Sequence, residues 1–447
     1  MNNYLDTEDH IVALATASGV GSIDVIRVSG KKLSKLYRKI TKKKSNPTPN
    51  VITKHNIYSL LDGEMIDTCM ISFFSAPASF TGEDVIEINC HGGGYISNKI
   101  IQFLCSSNQT RVALPGEFLF RAYINKKIDL IQAESINEMI TSESGAHNNK
   151  SLENVDGKLS EKILIIKESI VSLLLVIEHE LDFDESEISH MTDAQIIIKI
   201  KEIIKNIQSV TECYFFSKTV RSGLRILMLG KPNVGKSSIY NYLLGVNRSI
   251  VADLPGTTTH TIESLLEIHG HKVVLIDAAG SWESVDTIES MGVEKTKNEI
   301  GLADIIILVG EKNTDIDEFK DIVQKKKVIV VRSKSDIHNH KTGLLSVSTK
   351  SGAGFSRLST EISTKIQEYY LTNKINNEFL INERQHQILI DCQNKIGLLL
   401  EDIKLGINRD ILADLLHIIL DEYNNIINPV DREDIINKIF AGFCVGK

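Results

Sequence analysis

A phosphate-binding loop lies just past the middle of the 447-residue sequence, in the pattern Gly230-x-x-x-x-Gly235-Lys236-Ser237. Backbone amides of such a loop wrap the β-phosphate of a nucleotide, and the dipole of the following helix adds to the attraction. The lysine neutralises charge on the β- and γ-phosphates, and the serine hydroxyl reaches Mg²⁺. We predict phosphate contacts at Gly230, Asn233, Val234, Gly235, Lys236, Ser237 and Ser238.

Further polar motifs indicate which base is bound. Asp277 and Gly280 follow the apolar run Lys272–Ile276, which places a carboxylate near Mg²⁺ and an amide near the γ-phosphate. Asp336 follows Val328–Val331, and a carboxylate there accepts hydrogen bonds from guanine N1–H and N2–H₂, which adenine does not offer together. Motifs in this order, each at the carboxyl end of a strand, predict a GTPase. The expected base contacts are Ser333, Lys334, Asp336, Ser348, Thr349 and Lys350.

The segment between these motifs is expected to close over the γ-phosphate. Thr257 and Thr258 stand where a threonine hydroxyl donates to Mg²⁺, so we include both among the GTP contacts. After Gly280 the chain has Ser281-Trp282-Glu283, with no glutamine to orient a water molecule. Hydrolysis must therefore use another group, and the local carboxylates are Glu283, Asp286 and Glu289.

The elements that carry these motifs change in character along the chain. A chain of this length exceeds a single core, so several domains are expected. Short strands and turns in residues 1–125 predict an N-terminal α+β domain. Residues 126–222 and 371–447 have helical spacing with few breakers, as in Glu161–Glu180 and Ala194–Val210. Residues 223–370 alternate helices with short apolar strands, which we predict at Leu224–Leu229, Lys272–Ile276, Ile305–Val309, Val328–Val331 and Leu344–Val347. We predict a multidomain chain in which a GTPase domain with a mostly parallel sheet is inserted into an all-helical domain.

Composition narrows the expected surroundings of the protein. A net charge of −8 argues against a protein that coats nucleic acid non-specifically. Lys31–Lys44 nevertheless contains eight basic residues and no acidic one, which indicates either a solvated helix face or an RNA contact. The six scattered cysteines form no C-x-x-C pair, and no apolar run approaches the ~18 residues of a membrane span. We expect a cytoplasmic protein with no membrane contact.

Several sequence blocks resemble the MnmE (TrmE) family of tRNA-modification GTPases, over nearly all of the chain. They are Ile11–Gly30, Ser79–Gly93, Pro115–Glu134 and Phe443–Lys447, together with the nucleotide motifs in their order. The resemblance implies GTP hydrolysis with Mg²⁺, held by Ser237 and Thr258, and with K⁺. It implies K⁺ coordination by Asn233, Ala252, Leu254 and Thr257. Glu289, Asn233 and Lys236 are the implied catalytic residues.

The resemblance also implies a second ligand and a partner. The N-terminal domain is expected to form a homodimer and to bind 5,10-methylene- or 5-formyl-tetrahydrofolate through Arg27, Glu87, Lys127 and Lys447. Cys444 is either a reactive thiol near the folate or a buried apolar contact. The implied partner is the FAD-containing flavoprotein MnmG (GidA), in a heterotetramer that forms a carboxymethylaminomethyl or aminomethyl group on the wobble uridine of certain tRNAs.

Departures from the family pattern qualify this expectation. The base motif begins with Ser333 where the family usually has asparagine, so we predict weaker GTP binding with guanine preference retained through Asp336. Ala278, Trp282 and the pair Thr259-His260 also depart from the pattern and predict slower or less K⁺-dependent turnover.

Two alternatives remain open at this point. One is a GTP-switched RNA or ribosome-assembly factor without one-carbon chemistry, which is expected to carry an RNA-binding domain such as KH. The sequence shows no convincing KH pattern. The other is a hydrolysis-impaired scaffold, suggested by Ser333 and Trp282. The sequence does not indicate which tRNAs are used or whether glycine or ammonium supplies the nitrogen.

Overall fold

The computed structural model describes twelve stretches of the chain. They are residues 8–59, 61–106, 109–182, 190–246, 262–277, 298–317, 319, 327–337, 345–372, 376–429, 439–444 and 446. The chain forms two compact units, Met1–Asn137 with Leu420–Lys447 and Glu138–Ile419. The four-part division given above stays a prediction.

The first unit is built on a six-stranded sheet in the order β3-β4-β5-β2-β1-β6. All neighbouring strands are antiparallel except the parallel pair β1 and β6. The strands are β1 His10–Leu14, β2 Ile23–Gly30, β3 Thr53–Tyr58, β4 Met65–Phe74, β5 Asp84–His91 and β6 Thr110–Val112. Its first helices are α1 Ser34–Thr41, α2 Tyr95–Cys105, α3 Glu117–Ile124 and α4 Leu130–Thr141, of which the last extends four residues beyond Asn137.

Alternation along the central strands sets the two faces of this sheet. Ile86, Ile88 and Cys90 of β5 are buried in the core that also receives side chains of α1 and α2. The intervening Glu87 lies on the opposite face, where its strand register pairs it with Arg27 of β2. Side chains of successive strand residues point to opposite faces, so this register places the two charged residues side by side.

Residues 439–444 and 446, which we call the late segment, belong to the first unit although they follow the second unit in the sequence. Phe440 is fully buried, and its ring packs edge-on against Phe120 of α3 at 5.5 Å between centroids. Phe443 packs against Phe440 in the same cluster. The late segment therefore completes an apolar core begun by α3 and α4.

The second unit begins with a group of helices. They are α5 Gly145–Val155, α6 Lys158–Asp182, α7 Asp193–Thr211 and α8 Cys213–Ser222, followed late in the chain by α12 Glu383–Lys404 and α13 Arg409–Asn424, which crosses the unit boundary. Capping boxes start α7 at Thr192 with Gln195 and α12 at Asn382 with Gln385. None of the described helices is long and apolar enough to cross a membrane.

A five-stranded sheet in the order β11-β10-β7-β9-β8 follows α8. Its strands are β7 Leu224–Leu229, β8 Ile262–Ile268, β9 His271–Asp277, β10 Ile305–Gly310 and β11 Lys327–Arg332. Its described helices are α9 Lys236–Val246, α10 Asn313–Asp317 and α11 Phe355–Thr372. Only the β8–β9 pair is antiparallel, so the prediction of a mostly parallel sheet is confirmed.

One predicted strand is shorter than expected. The run Leu344–Val347 was predicted as a strand, but the described part of it forms a single parallel bridge between Arg332 and Ser346. Backbone hydrogen bonds join Arg332 to Leu345 and Val347, each at 2.8 Å. The segment thus attaches to β11 without continuing along it.

Hydrogen bonds show that the GTPase-type sheet is inserted into the helical part. Ile381, just past the insertion, donates its amide to Ser217 Oγ at 2.9 Å. Arg221 Nη1 donates to the Ile381 carbonyl at 2.8 Å, and Asn154 Nδ2 donates to the Leu380 carbonyl at 2.6 Å. Helices before the sheet therefore hold the chain that follows it, and the predicted inserted arrangement is confirmed.

Candidate functional site

The phosphate loop connects β7 to α9, and its backbone explains its glycines. At Gly230 the φ is +152°, and an added Cβ would lie 2.2 Å from the Val309 carbonyl oxygen of β10. Gly235 has φ +92°, and Asn233 is itself left-handed at φ 63°. Only glycine fits the first position without moving a neighbouring strand, so the close approach of backbone required around a phosphate is built in.

Lys236 lies where an incoming phosphate would meet it. Its side chain is buried, and Nζ donates to the carbonyls of Gly230 at 2.9 Å and Lys231 at 2.8 Å. Burial lowers the pKa of Lys236, and the nearby Asp277 carboxylate partly opposes that shift. A buried ammonium beside carbonyl groups favours the arrival of an anion, because phosphate oxygens then solvate the charge.

Two oxygen ligands of the kind that Mg²⁺ prefers meet beside the loop. Ser237 Oγ at the start of α9 donates to Asp277 Oδ2 at the end of β9, at 2.9 Å. A hydroxyl and a carboxylate at the mouth of a phosphate loop fit Mg²⁺, which binds through one or two protein oxygens plus phosphate and water. The described residues contain no group of three or more His, Cys, Asp or Glu that would hold a metal without phosphate.

A cavity of about 270 Å³ opens beside the phosphate loop on the carboxyl side of the sheet. Asp336 lines it, with Oδ1 accepting from Ser348 Oγ at 2.8 Å and Oδ2 lying 3.7 Å from Lys350 Nζ. The Ser348 hydrogen bond lowers the pKa of Asp336 below its usual range, so the carboxylate stays ionised. The cavity is lined by Gly235, Ser238, Ile239, Ser333, Lys334, Asp336, Ile337, Val347, Thr349 and Lys350.

The base motif also supports the phosphate loop. Lys334 is left-handed at φ 56°, and its Nζ donates to the Asn233 carbonyl at 3.2 Å while contacting the Glu311 carboxylate. Ser333 is almost fully buried, and a Cβ on Gly235 would come 3.7 Å from the Ser333 Cβ. The residues that would read the base and those that would hold the phosphates therefore form one connected structure.

Several predicted contacts of this site lie outside the described residues. They are Ala252, Leu254, Thr257, Thr258, Gly280 and Glu289, which include the proposed K⁺ carbonyls and the proposed catalytic carboxylate. Their roles stay predictions. The described phosphate and base contacts are brought together at one edge of the sheet.

A second candidate site lies on the sheet of the first unit. Arg27 donates to Glu87 Oε1 from Nε at 2.9 Å and from Nη2 at 2.7 Å, and both side chains are largely buried. Arg27 Nη1 donates to the Gly446 carbonyl at 3.3 Å, and its guanidinium carbon lies 5.9 Å from the centre of the Phe118 ring. Two of the four predicted folate residues are thus in direct contact, and the late segment reaches them.

The late segment is held in place by its backbone. The Gly116 amide donates to the Cys444 carbonyl at 3.1 Å. At Gly446, with φ +93°, an added Cβ would lie 2.4 Å from the Leu14 carbonyl oxygen. The Cys444 side chain is exposed, so the alternative of a buried apolar contact does not match the structure. Lys447 lies outside the described residues.

Lys127 occupies a different place from the Arg27–Glu87 pair. Its Nζ donates to the Pro77 carbonyl at 3.1 Å, and the residue lines a cavity of about 530 Å³ with Tyr123, Asp129 and Asn428. Among the described residues no contact joins Lys127 to Arg27 or Glu87.

Sequence reasoning missed some residues of both sites. The Gly446 carbonyl carries no side-chain signal, although its position beside Lys447 in a block of family resemblance pointed to the segment. Ile337 and Val347 form apolar walls of the base cavity, and their position next to the base motifs was the available signal. Glu311, which contacts Lys334, has no sequence pattern that indicates this contact.

Comparison with known proteins identifies relatives along the whole chain. The family model described as the MnmE helical domain matches residues 130–444, and the model described as the GTP-binding protein TrmE N-terminus matches residues 10–127. A protein named tRNA modification GTPase MnmE from Moorella thermoacetica is 32% identical over 463 residues, covering 98% of this chain and 100% of its own. The protein of the same name from Christiangramia forsetii is 32% identical over 475 residues, covering 98% and 99%.

Solved structures of G domains resemble part of this chain. The G domain of the T. maritima FeoB iron transporter aligns with 33% of this chain and 98% of its own, at 25% identity and a TM-score of 0.26. A TM-score this low supports no conclusion about function.

Proposed function

This chain belongs to the MnmE family, and on that premise we propose that it is a GTP hydrolase that acts in tRNA modification. The observation that carries the proposal is the connected site at the edge of the sheet. There a phosphate loop, the Ser237–Asp277 pair and a cavity lined by Asp336 lie within one unit. Relatives of the same name align with nearly the whole chain, so both units are included in the proposal.

The geometry supports binding of the phosphates, the guanine base and Mg²⁺ by different groups of the site. Backbone amides of the loop and the α9 N-terminus would hold the phosphates, and Lys236 would exchange its two carbonyl partners for phosphate oxygens. Asp336, kept ionised by Ser348, would accept the two donors on the guanine edge. Mg²⁺, when bound, would neutralise charge on the β- and γ-phosphates beside Ser237.

For the hydrolysis step we propose the roles that the family resemblance implies. K⁺ beside Asn233 would offset charge that develops on the bridging oxygen, and Glu289 would help position the attacking water. Asn233 is exposed at the tip of the loop, which leaves its side chain accessible to a bound cation. The remaining proposed ligands, Thr257, Thr258 and the carbonyls of Ala252 and Leu254, complete the site around the γ-phosphate.

For the modification step we propose that the first unit binds a tetrahydrofolate derivative. The Arg27–Glu87 pair supports this, because a pterin edge offers donors to Glu87 while a carboxylate tail of folate suits a cation. We further propose a homodimer that works with an FAD-containing MnmG-type partner on the wobble uridine of tRNA, in the cytoplasm. In this scheme GTP hydrolysis drives a conformational cycle and is separate from the uridine chemistry.

Steady-state GTP turnover of the full chain in K⁺ and in Na⁺ tests the hydrolase proposal. We expect turnover that is faster in K⁺ and falls about 100-fold or more in Lys236→Ala, since a phosphate-neutralising cation is lost. Asp336→Asn should shift preference from GTP towards xanthosine triphosphate, whose 2-oxo group accepts where guanine donates. Wild-type turnover no faster than that of Lys236→Ala would instead support a hydrolysis-impaired scaffold, the alternative that the buried Ser333 favours.

Nucleoside mass spectrometry tests the tRNA proposal separately. tRNA from cells that lack this gene should lose the carboxymethylaminomethyl or aminomethyl group from wobble uridine, and restoring the wild-type gene should return it. If the levels of both modified nucleosides are the same with and without the gene, a role in this reaction is excluded. The alternative of a GTP-switched RNA or ribosome-assembly factor would then remain.

A further inference from the structure

The first unit carries a concentrated basic surface that the proposed nucleotide and folate sites do not use. Between residue 31 and residue 61 the sequence has nine Lys or Arg residues and no Asp or Glu. The chain as a whole has a net charge of −8, so this positive density is local. A local basic surface on an acidic protein concentrates its attraction for polyanions at one place.

Helix α1 presents this charge to solvent. Its apolar residues Leu36, Tyr37 and Ile40 are buried against the sheet. Lys35 and Lys39 are exposed on the opposite side, one helical turn apart. Lys42 and Lys43 follow directly at the end of α1, and both are exposed.

The edge strand β3 adds to the same surface. β3 is the outermost strand of the six-stranded sheet, and Lys54 and Asn56 on it are exposed. Together with the end of α1, β3 lines a groove of about 450 Å³ that includes Lys42, Lys43, Lys54, Asn56 and Tyr58. We call Lys35, Lys39, Lys42, Lys43 and Lys54 the basic surface.

The groove is partly organised in advance. Lys42 Nζ donates to the Gly63 carbonyl at 2.9 Å and lies 4.0 Å from the centre of the Tyr58 ring. Asn56 Oδ1 accepts from Thr68 Oγ1 at 2.9 Å, which fixes the amide and directs its Nδ2 donors elsewhere. Donors that are already ordered can receive phosphate oxygens with less loss of side-chain entropy.

Within the part of the chain that the structure describes, the lysines of the basic surface have no acidic partners. Among the described residues no carboxylate lies within salt-bridge distance of any of the five, whereas the neighbouring Lys31 pairs with Glu8 at 2.6 Å. Unpaired ammonium groups retain their full attraction for an external anion.

We propose that the basic surface binds the phosphate backbone of RNA, specifically of the tRNA whose modification is proposed above, and the inference rests on that proposed function. RNA is favoured over a lipid surface because α1 has no exposed apolar face to insert between headgroups. Exposed lysines on a helix and on an edge strand can contact phosphates along one RNA backbone, and such contacts position RNA without reading its sequence.

Fluorescence anisotropy of a labelled tRNA transcript with the full chain, between 50 and 200 mM KCl, tests the proposal. The variant is Lys39→Gln, Lys43→Gln and Lys54→Gln, which spares Lys42 because that residue has structural contacts. The matched control is Lys199→Gln, Lys201→Gln and Lys205→Gln, which removes the same charge from exposed positions of α7. Circular dichroism and GTP turnover confirm that each variant is folded.

We expect the first variant to bind tRNA about 10-fold or more weakly, with the slope of log affinity against log salt reduced by about two to three. The control should bind like wild type. The proposal is overturned by wild-type protein that fails to bind tRNA at 50 mM KCl, by an unchanged first variant, or by a control that weakens equally.

Two further arms separate the proposal from its rivals. Binding to phosphatidylglycerol–phosphatidylcholine vesicles, lost in the first variant while tRNA binding stays intact, would assign the surface to lipid and overturn the RNA proposal. Lys236→Ala should abolish GTP turnover and leave tRNA affinity unchanged. If the wild-type protein shows no GTP turnover but still binds tRNA through these lysines, the proposed function is contradicted. RNA binding by the basic surface is then supported on its own.

Discussion

Lys236 is held in a buried position by two carbonyl groups, and this explains how the loop is prepared for phosphate. Its lowered pKa reflects burial, so the phosphates of a bound nucleotide would stabilise the charged ammonium. Asp277 opposes the shift from the Mg²⁺ side of the site. The phosphate loop thus contains a buried positive charge. This charge favours binding of a polyphosphate over binding of a neutral molecule.

Ser333→Asn should strengthen GTP binding by about 3- to 10-fold, the equivalent of about one added hydrogen bond. Ser333 is buried next to Gly235 of the phosphate loop, and a carboxamide there would reach further towards the loop and the base than a hydroxyl. Equilibrium titration with a fluorescent GTP analogue measures the change. Unchanged or weaker binding would show that the base motif does not limit affinity in this chain.

His55→Gln should reduce the loss of stability on acidification. Burial, with Lys43 nearby, lowers the pKa of His55 below its usual 6.5, and the imidazole Nε2 contacts Tyr37 and Thr53 hydroxyls. Well above pH 6.5, His55 is neutral in both the folded and the unfolded states, so its protonation does not affect the free energy of unfolding. Below that pH the unfolded chain takes up the proton more readily than the folded one, so stability falls.

Thermal melts of wild type and His55→Gln at pH 7.5 and pH 5 check this expectation. The melting temperature of wild type should fall more between the two pH values than that of the variant. Equal pH dependence would mean that His55 accepts its proton freely in the folded protein.

Secondary-structure elements differ in how far local pattern determines them. The strands β7 and β10 and the helices α6 and α7 were predicted within a few residues because long apolar periodicity specifies them. β3 and β8 were not predicted. β3 has one fully buried apolar residue, Ile57, and depends on pairing with β4. Adjacent leucines in β8 fit a helix equally well, and the turn to β9 decides the outcome.

Asn382→Ala should lower the stability of the helical part by about 1 kcal/mol, because α12 loses the side chain that caps its N-terminus. Asn382 Oδ1 accepts from the Gln385 backbone amide at 2.9 Å, and the Asn382 backbone amide donates to Gln385 Oε1 at 3.0 Å. Urea unfolding followed by circular dichroism measures the loss. Asn382→Asp is the control and should stay near wild type, since aspartate caps equally well.

The whole molecule joins residues that no local pattern connects. Arg27 and Gly446 are 419 residues apart and share a hydrogen bond in the first unit. Family resemblance predicted Arg27 and Glu87 as site residues. Only three-dimensional packing determines the register that pairs their two strands and the backbone path of the late segment. Sequence therefore indicated which segments matter and left their contacts undetermined.

Gly446→Ala should weaken binding of 5-formyl-tetrahydrofolate several-fold by displacing the late segment. The new Cβ would lie 2.4 Å from the Leu14 carbonyl oxygen in a left-handed backbone, so the segment must move away from Arg27. Gly442→Ala is the control, since its added Cβ would meet nothing closer than the Ile439 carbonyl at 3.6 Å. Calorimetric titration measures the affinity of wild type and of both variants for the ligand. Equal affinities would show that the late segment does not contribute to ligand binding.

The divided first unit has a consequence for biosynthesis. A ribosome delivers the strands and α3 early, but Phe440, which packs on Phe120, only after the intervening unit has emerged. The unit that starts first therefore finishes last, against the usual order in which N-terminal domains fold as they appear. A nascent chain of this protein therefore leaves the apolar surface around Phe120 without its Phe440 cover through most of translation.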